Sequence, residues 1–251
     1  MTIVSTTETP IATADPAHYI AETMRVLIVA GIPAGALVVG LGSRIAMLVL
    51  RITSPDTVHG VKSDDGFIIG RVTLGGTYNL MNLGALVGII GAGAYMLVAP
   101  WLIGPKWFRR ATTGLAAGAV VGSMLIHPNG IDFTRLKPTW LAIGLFVALP
   151  GVFGLLIGTF VDAVRQTDSW TTRNRRRWWL PVICVACFPL TLLPLGVALV
   201  IVLFSLMLIE LRVVDLARRI PGYGLIVRAL WMVIAVAGLV ALVNDIDALT
   251  S

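Results

Sequence analysis

Long apolar runs separated by short basic connectors constrain this chain more than any other feature. Hydrophobic residues make up 57% of its 251 residues, and charged residues make up 13%, whereas a soluble domain carries about 25% charged residues. A transmembrane helix needs roughly 20 apolar residues in succession. Because runs of about this length fill the chain, the sequence predicts a membrane protein and leaves no room for a soluble domain.

The order of the runs predicts an all-α fold, a polytopic bundle of transmembrane helices. We expect a flexible N-terminal arm at residues 1–20 and one membrane domain at residues 21–251. Asp15–Pro16 is typical of a helix start. The block 178–213 is ambiguous, because it is long for one helix and short for two, with prolines near its middle. A hairpin there gives seven spans, and a single helix gives six; the seven are 26–50, 78–99, 111–127, 140–164, 178–193, 196–213 and 224–243.

The positions of Lys and Arg predict the orientation. With a cytoplasmic N-terminus and seven spans, the cytoplasmic connectors carry twelve of these residues and the outer connectors five. An excess on the cytoplasmic side is the usual arrangement. A single span over 178–213 would reduce the ratio to nine against eight. We therefore favour the hairpin, and we expect a multi-pass plasma-membrane protein with its C-terminus outside the cytoplasm.

Glycines spaced four residues apart recur in the first four spans. Such rows form smooth helix faces against which another backbone can approach closely. We expect them to pack helices within the chain, with a homodimer seam as the alternative, and we expect spans 5 to 7 to face lipid more fully. The rows are Gly31 and Gly35; Gly84 and Gly88; Gly114, Gly118 and Gly122; and Gly154 and Gly158.

The two outer connectors between the first four spans hold the most distinctive polar residues. Asp65–Gly66 is a strong turn signal between β-branched flanks and predicts a small, hairpin-like β cap. Histidines and carboxylates of the two connectors are candidates for a ligand or metal site. No pair has zinc-ligand spacing, and turn formation explains the aspartates, so we predict no metal, cofactor or catalytic residue. The ligand candidates in these connectors are His59, Asp64, Asp65, His127 and Asp132.

Arg44 is a basic residue well inside the first span. It can extend to the lipid headgroups, pair with an aspartate of the outer connectors, or hold an anionic ligand. Asn79 and Asn82, at the outer start of span 2, are candidates to assist it. The centres of the predicted spans hold no Asp, Glu, Lys or His, which argues against coupling to protons or cations.

For the polar residues near the inner span ends, the sequence favours contact with lipid headgroups and pairing of charges on one helix. A basic and aromatic run beside span 5 predicts contact with anionic headgroups rather than nucleic acid. Asp162 and Arg165, three residues apart, are expected to pair on one helix face. Cys184 and Cys187 lie in an apolar run, where cysteine behaves as a small hydrophobe. The headgroup candidates are Arg173, Arg175, Arg176, Arg177, Trp178 and Trp179.

These features together favour a non-enzymatic membrane protein. It would be a partner subunit of a membrane assembly or a permease that handles small solutes or lipids. The alternative is a membrane-embedded enzyme with a site under the outer loops. The last span lacks the lysine that a retinal protein requires, and the spans lack the axial histidines of a b-type haem. The expected partners are the lipid bilayer and its anionic headgroups, with other membrane proteins or a second copy as further candidates.

Overall fold

The computed structural model of the chain describes residues 16–55, 73–100, 102–126, 137–166, 176–210 and 222–250. Every regular element in these ranges is helical. The first helix, α1, joins the consecutive segments Pro16–Val26, Leu27–Gly31, Ile32–Ala34, Gly35–Leu41 and Gly42–Thr53. It is followed by α2 (Leu74–Val98), α3 (Lys106–Leu125), α4 (Thr139–Arg165), α5 (Arg176–Cys187), α6 (Leu192–Glu210) and α7 (Tyr223–Thr250).

The long apolar helices fit a membrane protein. Four of the described helices are long and apolar enough to cross a bilayer, and the bent pair α5–α6 makes a fifth if it counts as one span. Helix α3 falls short because the arginines of its first turn and its many small residues lower its hydropathy. Length and hydropathy thus support four or five spans rather than the predicted seven. The predicted β cap falls on residues 56–72, outside the described ranges.

The helix starts differ from the predicted boundaries. The described part of α1 begins at Pro16 and so already includes the last five residues of the expected arm. Helix α2 begins at Leu74, four residues before the predicted span. The hydroxyl of Thr73 accepts a hydrogen bond from the Gly76 N–H at 3.1 Å. This N-cap satisfies a donor that the first helical turn leaves unbonded.

The first glycine seam joins α1 to α2. A methyl group added at Gly31 would lie 2.7 Å from the Gly88 carbonyl oxygen, and one added at Gly84 would lie 2.5 Å from the Gly35 carbonyl oxygen. These contacts are backbone on backbone, and only glycine permits them. Two π-helical stretches in α1, Leu27–Gly31 and Gly35–Leu41, flank Pro33, which lacks the N–H of a regular helix.

The second glycine seam joins α3 to α4. An added methyl group at Gly114 would lie 2.8 Å from the Gly151 carbonyl oxygen, and one at Gly154 would lie 2.9 Å from the Thr113 carbonyl oxygen. The prediction that the glycine rows serve packing within the chain is therefore confirmed for α1 to α4.

The first four helices alternate in direction, so the bundle has two distinct ends. At one end, called the Arg51 end, the Ser54 hydroxyl donates to the Lys137 carbonyl at 3.1 Å and accepts from the Lys137 N–H at 3.0 Å. At the opposite end, called the Arg110 end, Arg110 binds Asp162 at 2.8 Å. Helix α7 finishes at the Arg51 end, where Leu242 belongs to the same buried cluster as Leu50.

The pair α5–α6 turns by 108° at the short 3-10 segment Pro189–Thr191. The Tyr78 hydroxyl donates to the Cys187 carbonyl at 2.7 Å, and the Tyr78 and Phe188 rings stack 6.4 Å apart. Because Tyr78 lies near the start of α2, the bend sits towards the Arg51 end. Helix α6 then packs against the Pro16–Val26 segment of α1, so the pair returns towards the end from which it came. With 12 residues, α5 is only about 18 Å long.

Among the four helices long enough to span a bilayer, burial is highest in α1 and lowest in α7. In the most apolar stretch of α1, 56% of residues are buried within the structure, against 39% in α2 and in α4 and 11% in α7. The prediction of a tightly packed first half and a more exposed remainder is confirmed. In a membrane, lipid would cover the exposed faces.

Candidate functional site

An apolar cavity of about 450 Å³ lies within the bundle. It is lined by side chains of α1, α2, α3, α4 and α7, among them Met47, Ile90, Ala116, Phe153 and Trp231. Cavities of this size are typical of sites for small molecules.

Most of the few polar side chains on the cavity wall already form hydrogen bonds to the backbone of their own helices. The Ser43 hydroxyl donates to the Val39 carbonyl at 2.5 Å, and the Thr113 hydroxyl donates to the Arg109 carbonyl at 2.8 Å. The third polar side chain is Tyr95. A polar ligand would lose its water here and gain few hydrogen bonds in return, which is costly. The wall therefore suits an apolar ligand.

The cavity opens sideways rather than only at the ends of the bundle. Helix α2 packs on α1 and α4, while α3 packs on α4 and α7, and the cavity fills the gap between α2 and α3. Its lining residues on α2 and α7 include several with a large exposed fraction: Val87 (41%), Ile90 (58%) and Ile234 (43%). The opening thus faces the surroundings between α2 and α7, where lipid would lie.

The cavity is long in the direction of the helix axes. On α3 its wall extends from Thr113 to Leu125, and on α4 from Leu145 to Ile157. Twelve helical residues rise by about 18 Å, more than half the roughly 30 Å thickness of the hydrocarbon core. The shape matches an extended chain lying along the bilayer normal.

Charged residues meet at the Arg110 end of the cavity. The Arg110 guanidinium donates to the Asp162 carboxylate at 2.8 Å, and both side chains interact with Tyr95. The pairing of Asp162 with Arg165 is wrong, because the first turn of α3 lies against the last turns of α4 and brings Arg110 to the carboxylate. Arg109 donates to the Ala99 carbonyl at 3.4 Å.

Arg25 is a buried cation at this end whose structural role the sequence did not predict. Arg25 is 6% exposed. It forms an ion pair with Glu22 at 2.9 Å and donates to the Val164 carbonyl at 3.1 Å. The spacing of Glu22 and Arg25, three residues apart on a helix, could have revealed the pair. The contact with α4 could not be seen in the sequence.

The ligand candidates predicted in spans 1 and 2 are Arg44, Asn79 and Asn82. They lie towards the Arg51 end and do not line the cavity. Arg44 is 8% exposed, and its guanidinium touches Gly76 at the start of α2. Asn82 is 2% exposed; its amide donates to the Tyr78 carbonyl at 3.0 Å, and its side-chain oxygen is buried without a hydrogen-bond partner. Asn79 is exposed. Ser43 and Leu80, which adjoin Arg44 and Asn79 in the chain, do line the cavity.

The remaining candidates predicted from the sequence are the headgroup residues beside α5 and the polar residues of the two outer connectors. Trp179 is 53% exposed, as expected of a residue near lipid headgroups. Arg176, Arg177 and Trp178 begin α5, and their side chains lie outside the described part. Within the described ranges, no group of three His, Cys, Asp or Glu residues could hold a metal ion. The candidates that fall outside those ranges are His59, Asp64, Asp65, His127, Asp132, Arg173 and Arg175.

Comparison with known proteins gives no match: no family model, no curated protein and no solved structure is significantly similar to this chain. The cavity and the charges around it are therefore the features that bear on function.

Proposed function

We propose that this chain is a non-enzymatic, multi-pass membrane protein that holds a lipid tail, or an apolar molecule of similar shape, between its helices. The observation that carries the proposal is the cavity of about 450 Å³, which is apolar, elongated and open towards the lipid side of the bundle. Of the two permease types that the sequence suggests, a lipid-handling protein fits this wall better than a carrier of small polar solutes. A polar solute would find few partners to replace its lost water.

For the topology, we propose a plasma-membrane location with the Arg110 end in the cytoplasm. Support comes from the described termini, since α1 begins at the Arg110 end and α7 finishes at the Arg51 end. The α5–α6 pair returns to the Arg110 end whether it forms two short spans or a re-entrant loop. Either arrangement keeps the cytoplasmic excess of Lys and Arg, twelve against five, in the usual direction. The β cap over the opposite end stays a prediction of the sequence.

The other functions suggested by the sequence are less favoured. The exposed apolar faces of α6 and α7 would suit a partner subunit, but lipid covers such faces equally well. An enzyme site would depend on His59, His127 and their neighbouring carboxylates, which lie outside the described ranges.

A photoreactive lipid tests the proposal directly. The protein would be reconstituted with phosphatidylcholine that carries a diazirine in the middle of one tail, and the labelled peptides would be mapped by mass spectrometry. We expect labelling of cavity residues that the outer surface hides, such as Phe153, which is 7% exposed. Substitution Ala116→Phe places a ring in the cavity and should reduce that labelling several-fold.

The matched control is Ala148→Phe, the same change on the exposed surface of α4 away from the cavity. It should leave labelling of Phe153 unchanged. Labelling confined to outward-facing residues, in the wild type and in both variants, would show that no tail enters the cavity and would refute the proposal.

A further inference from the structure

We infer that the cavity ligand is an anionic lipid, with one tail in the cavity and its headgroup phosphate held at the Arg110 end by Arg109 and Arg110. The inference deepens the proposed function and rests on it.

The two arginines lie within about one helical turn of the cavity. Thr113 lines its wall, and the Thr113 hydroxyl bonds the Arg109 carbonyl one turn earlier. Val98 lines the wall of the facing helix, and its neighbour Ala99 accepts the hydrogen bond from the Arg109 guanidinium. Arg109 therefore bridges the ends of α2 and α3 where the cavity finishes.

Arg110 closes the same end from the side of α4. A methyl group added at Gly158 would lie 2.9 Å from the ring of Tyr95, which lines the cavity, and 3.1 Å from Cγ of Arg110. The apolar stem of Arg110 thus packs beside the wall, while its guanidinium meets Asp162. This division of a long side chain is typical of a boundary between hydrocarbon and water.

The charges at this end are unbalanced in favour of an anion. Lys106, Arg109 and Arg110 lie on the first turns of α3. Arg110 binds Asp162, and Arg25 at the same end binds Glu22. Among these described residues, four positive charges therefore meet two negative ones. An anionic headgroup would reduce the excess, and its attraction to each nearby Lys or Arg is appreciable at a membrane surface.

Two hydrogen-bond donors at this end also lack an acceptor. The Nε atoms of Arg109 and Arg110 are buried and have no hydrogen-bond partner within the described structure. A buried donor that stays unbonded is destabilising. Phosphate oxygens are strong acceptors for guanidinium donors. Because both arginine side chains are only partly buried, a small rotation of each would bring its Nε–H to an oxygen of a headgroup at this place. Inorganic phosphate offers the same oxygens but has no tail to occupy the cavity.

Native mass spectrometry of the reconstituted protein can separate these contributions. Phosphatidylglycerol and phosphatidylcholine with identical tails would compete for the protein in mixed nanodiscs, and the retained lipid would be counted after mild release. Two unbalanced positive charges predict a preference for phosphatidylglycerol of about tenfold or more. Arg109→Gln and Arg110→Gln should each lower this preference several-fold.

Two further variants separate binding from folding. Arg165→Gln removes a positive charge at the same end, from an exposed position on α4 that does not line the cavity, and should leave the preference unchanged. Asp162→Asn removes the opposing negative charge and should raise the preference. If Arg110 and Asp162 served only to hold the helices together, both of their variants would instead lower lipid retention.

The outcomes are distinguishable. Equal retention of the two lipids, with both lost in Ala116→Phe, would refute the headgroup inference and leave the proposed function standing. Retention unaffected by Ala116→Phe would refute the proposed function. Displacement of phosphatidylglycerol by millimolar inorganic phosphate would show an anion site without a tail and would also overturn the inference. A preference that the arginine variants abolish, that inorganic phosphate does not disturb and that Ala116→Phe weakens would support it.

Discussion

The first glycine seam gives the sharpest stability prediction, because its contacts are between backbones that cannot move aside. Substitution Gly35→Ala adds one methyl group on the face of α1 that meets α2. That methyl group would lie 2.6 Å from Cα and 2.7 Å from the nitrogen of Gly88, and closer still to the Gly84 carbonyl oxygen. A flexible side chain could rotate away from such a contact, whereas a helix backbone cannot.

The cost can be estimated from these distances. Ordinary van der Waals contact begins at about 3.4 Å, so the helices would separate locally by at least about 0.8 Å, which forfeits a quarter or more of the dispersion energy of the contacts involved. Overpacking of this kind costs about 1–3 kcal/mol. Alanine also has a higher helix propensity than glycine, which stabilises the variant by up to about 1 kcal/mol. Because the contacts are with backbone atoms that cannot move aside, the overpacking cost lies in the upper half of its range, about 2–3 kcal/mol, and we expect a net loss of about 1–2 kcal/mol in the free energy of unfolding.

Thermal unfolding in detergent, followed by tryptophan fluorescence, measures this loss. The matched control is Gly144→Ala, where nothing lies within 4 Å of the added methyl group. It should stabilise the protein by about 0.5–1 kcal/mol through helix propensity alone. At about 2–4 °C per kcal/mol for a chain of this size, the two melting temperatures should move in opposite directions. If Gly35→Ala matched Gly144→Ala, the close approach of α1 and α2 would be refuted.

Two further predictions concern the bend and the orientation. Tyr78→Phe removes the hydrogen bond to the Cys187 carbonyl but keeps a ring to stack on Phe188, so the free energy of unfolding should fall by about 1 kcal/mol; an unchanged melting temperature would contradict that contact. In a chain whose two native cysteines are replaced by alanine, single cysteines at positions 63 and 251 should react with a membrane-impermeant maleimide added outside intact cells, and reaction of either from the cytoplasm alone would reverse the proposed orientation.

Hydropathy and glycine spacing predict the helices and their close packing because both depend on local composition. Lipid imposes a minimum length on each span, and a four-residue repeat places glycines on one helix face whatever the partner helix is. Helix starts are predicted less well. Leu74 begins α2 because Thr73 caps it, and the polar capping residue lies outside the apolar run that hydropathy detects.

The candidate site depends on distances that no local pattern encodes. Asp162 and Arg110 are 52 residues apart in the chain, whereas Asp162 and Arg165 satisfy the spacing rule for neighbours on one helix. The rule identifies which residues share a face but not which helix covers that face. The cavity was likewise not predictable from the sequence, because its apolar wall forms only when α2, α3 and α7 are placed around it.

The cavity follows from the two glycine seams, and this origin explains why it would contain a lipid tail. The seams draw α1 onto α2 and α3 onto α4, whereas the facing sides of α2 and α3 carry bulkier residues such as Ile90 and Val120, and a gap remains between the two pairs. At about 24 cal/mol for each Å³, an empty cavity of this size would cost on the order of 10 kcal/mol, comparable with the whole stability of a typical domain. Because the gap opens towards the bilayer, the nearest material that can fill it is hydrocarbon. Loosening of the first seam by Gly35→Ala should therefore alter lipid labelling of Phe153 as well as the melting temperature, which ties the packing of the bundle to the ligand that it holds.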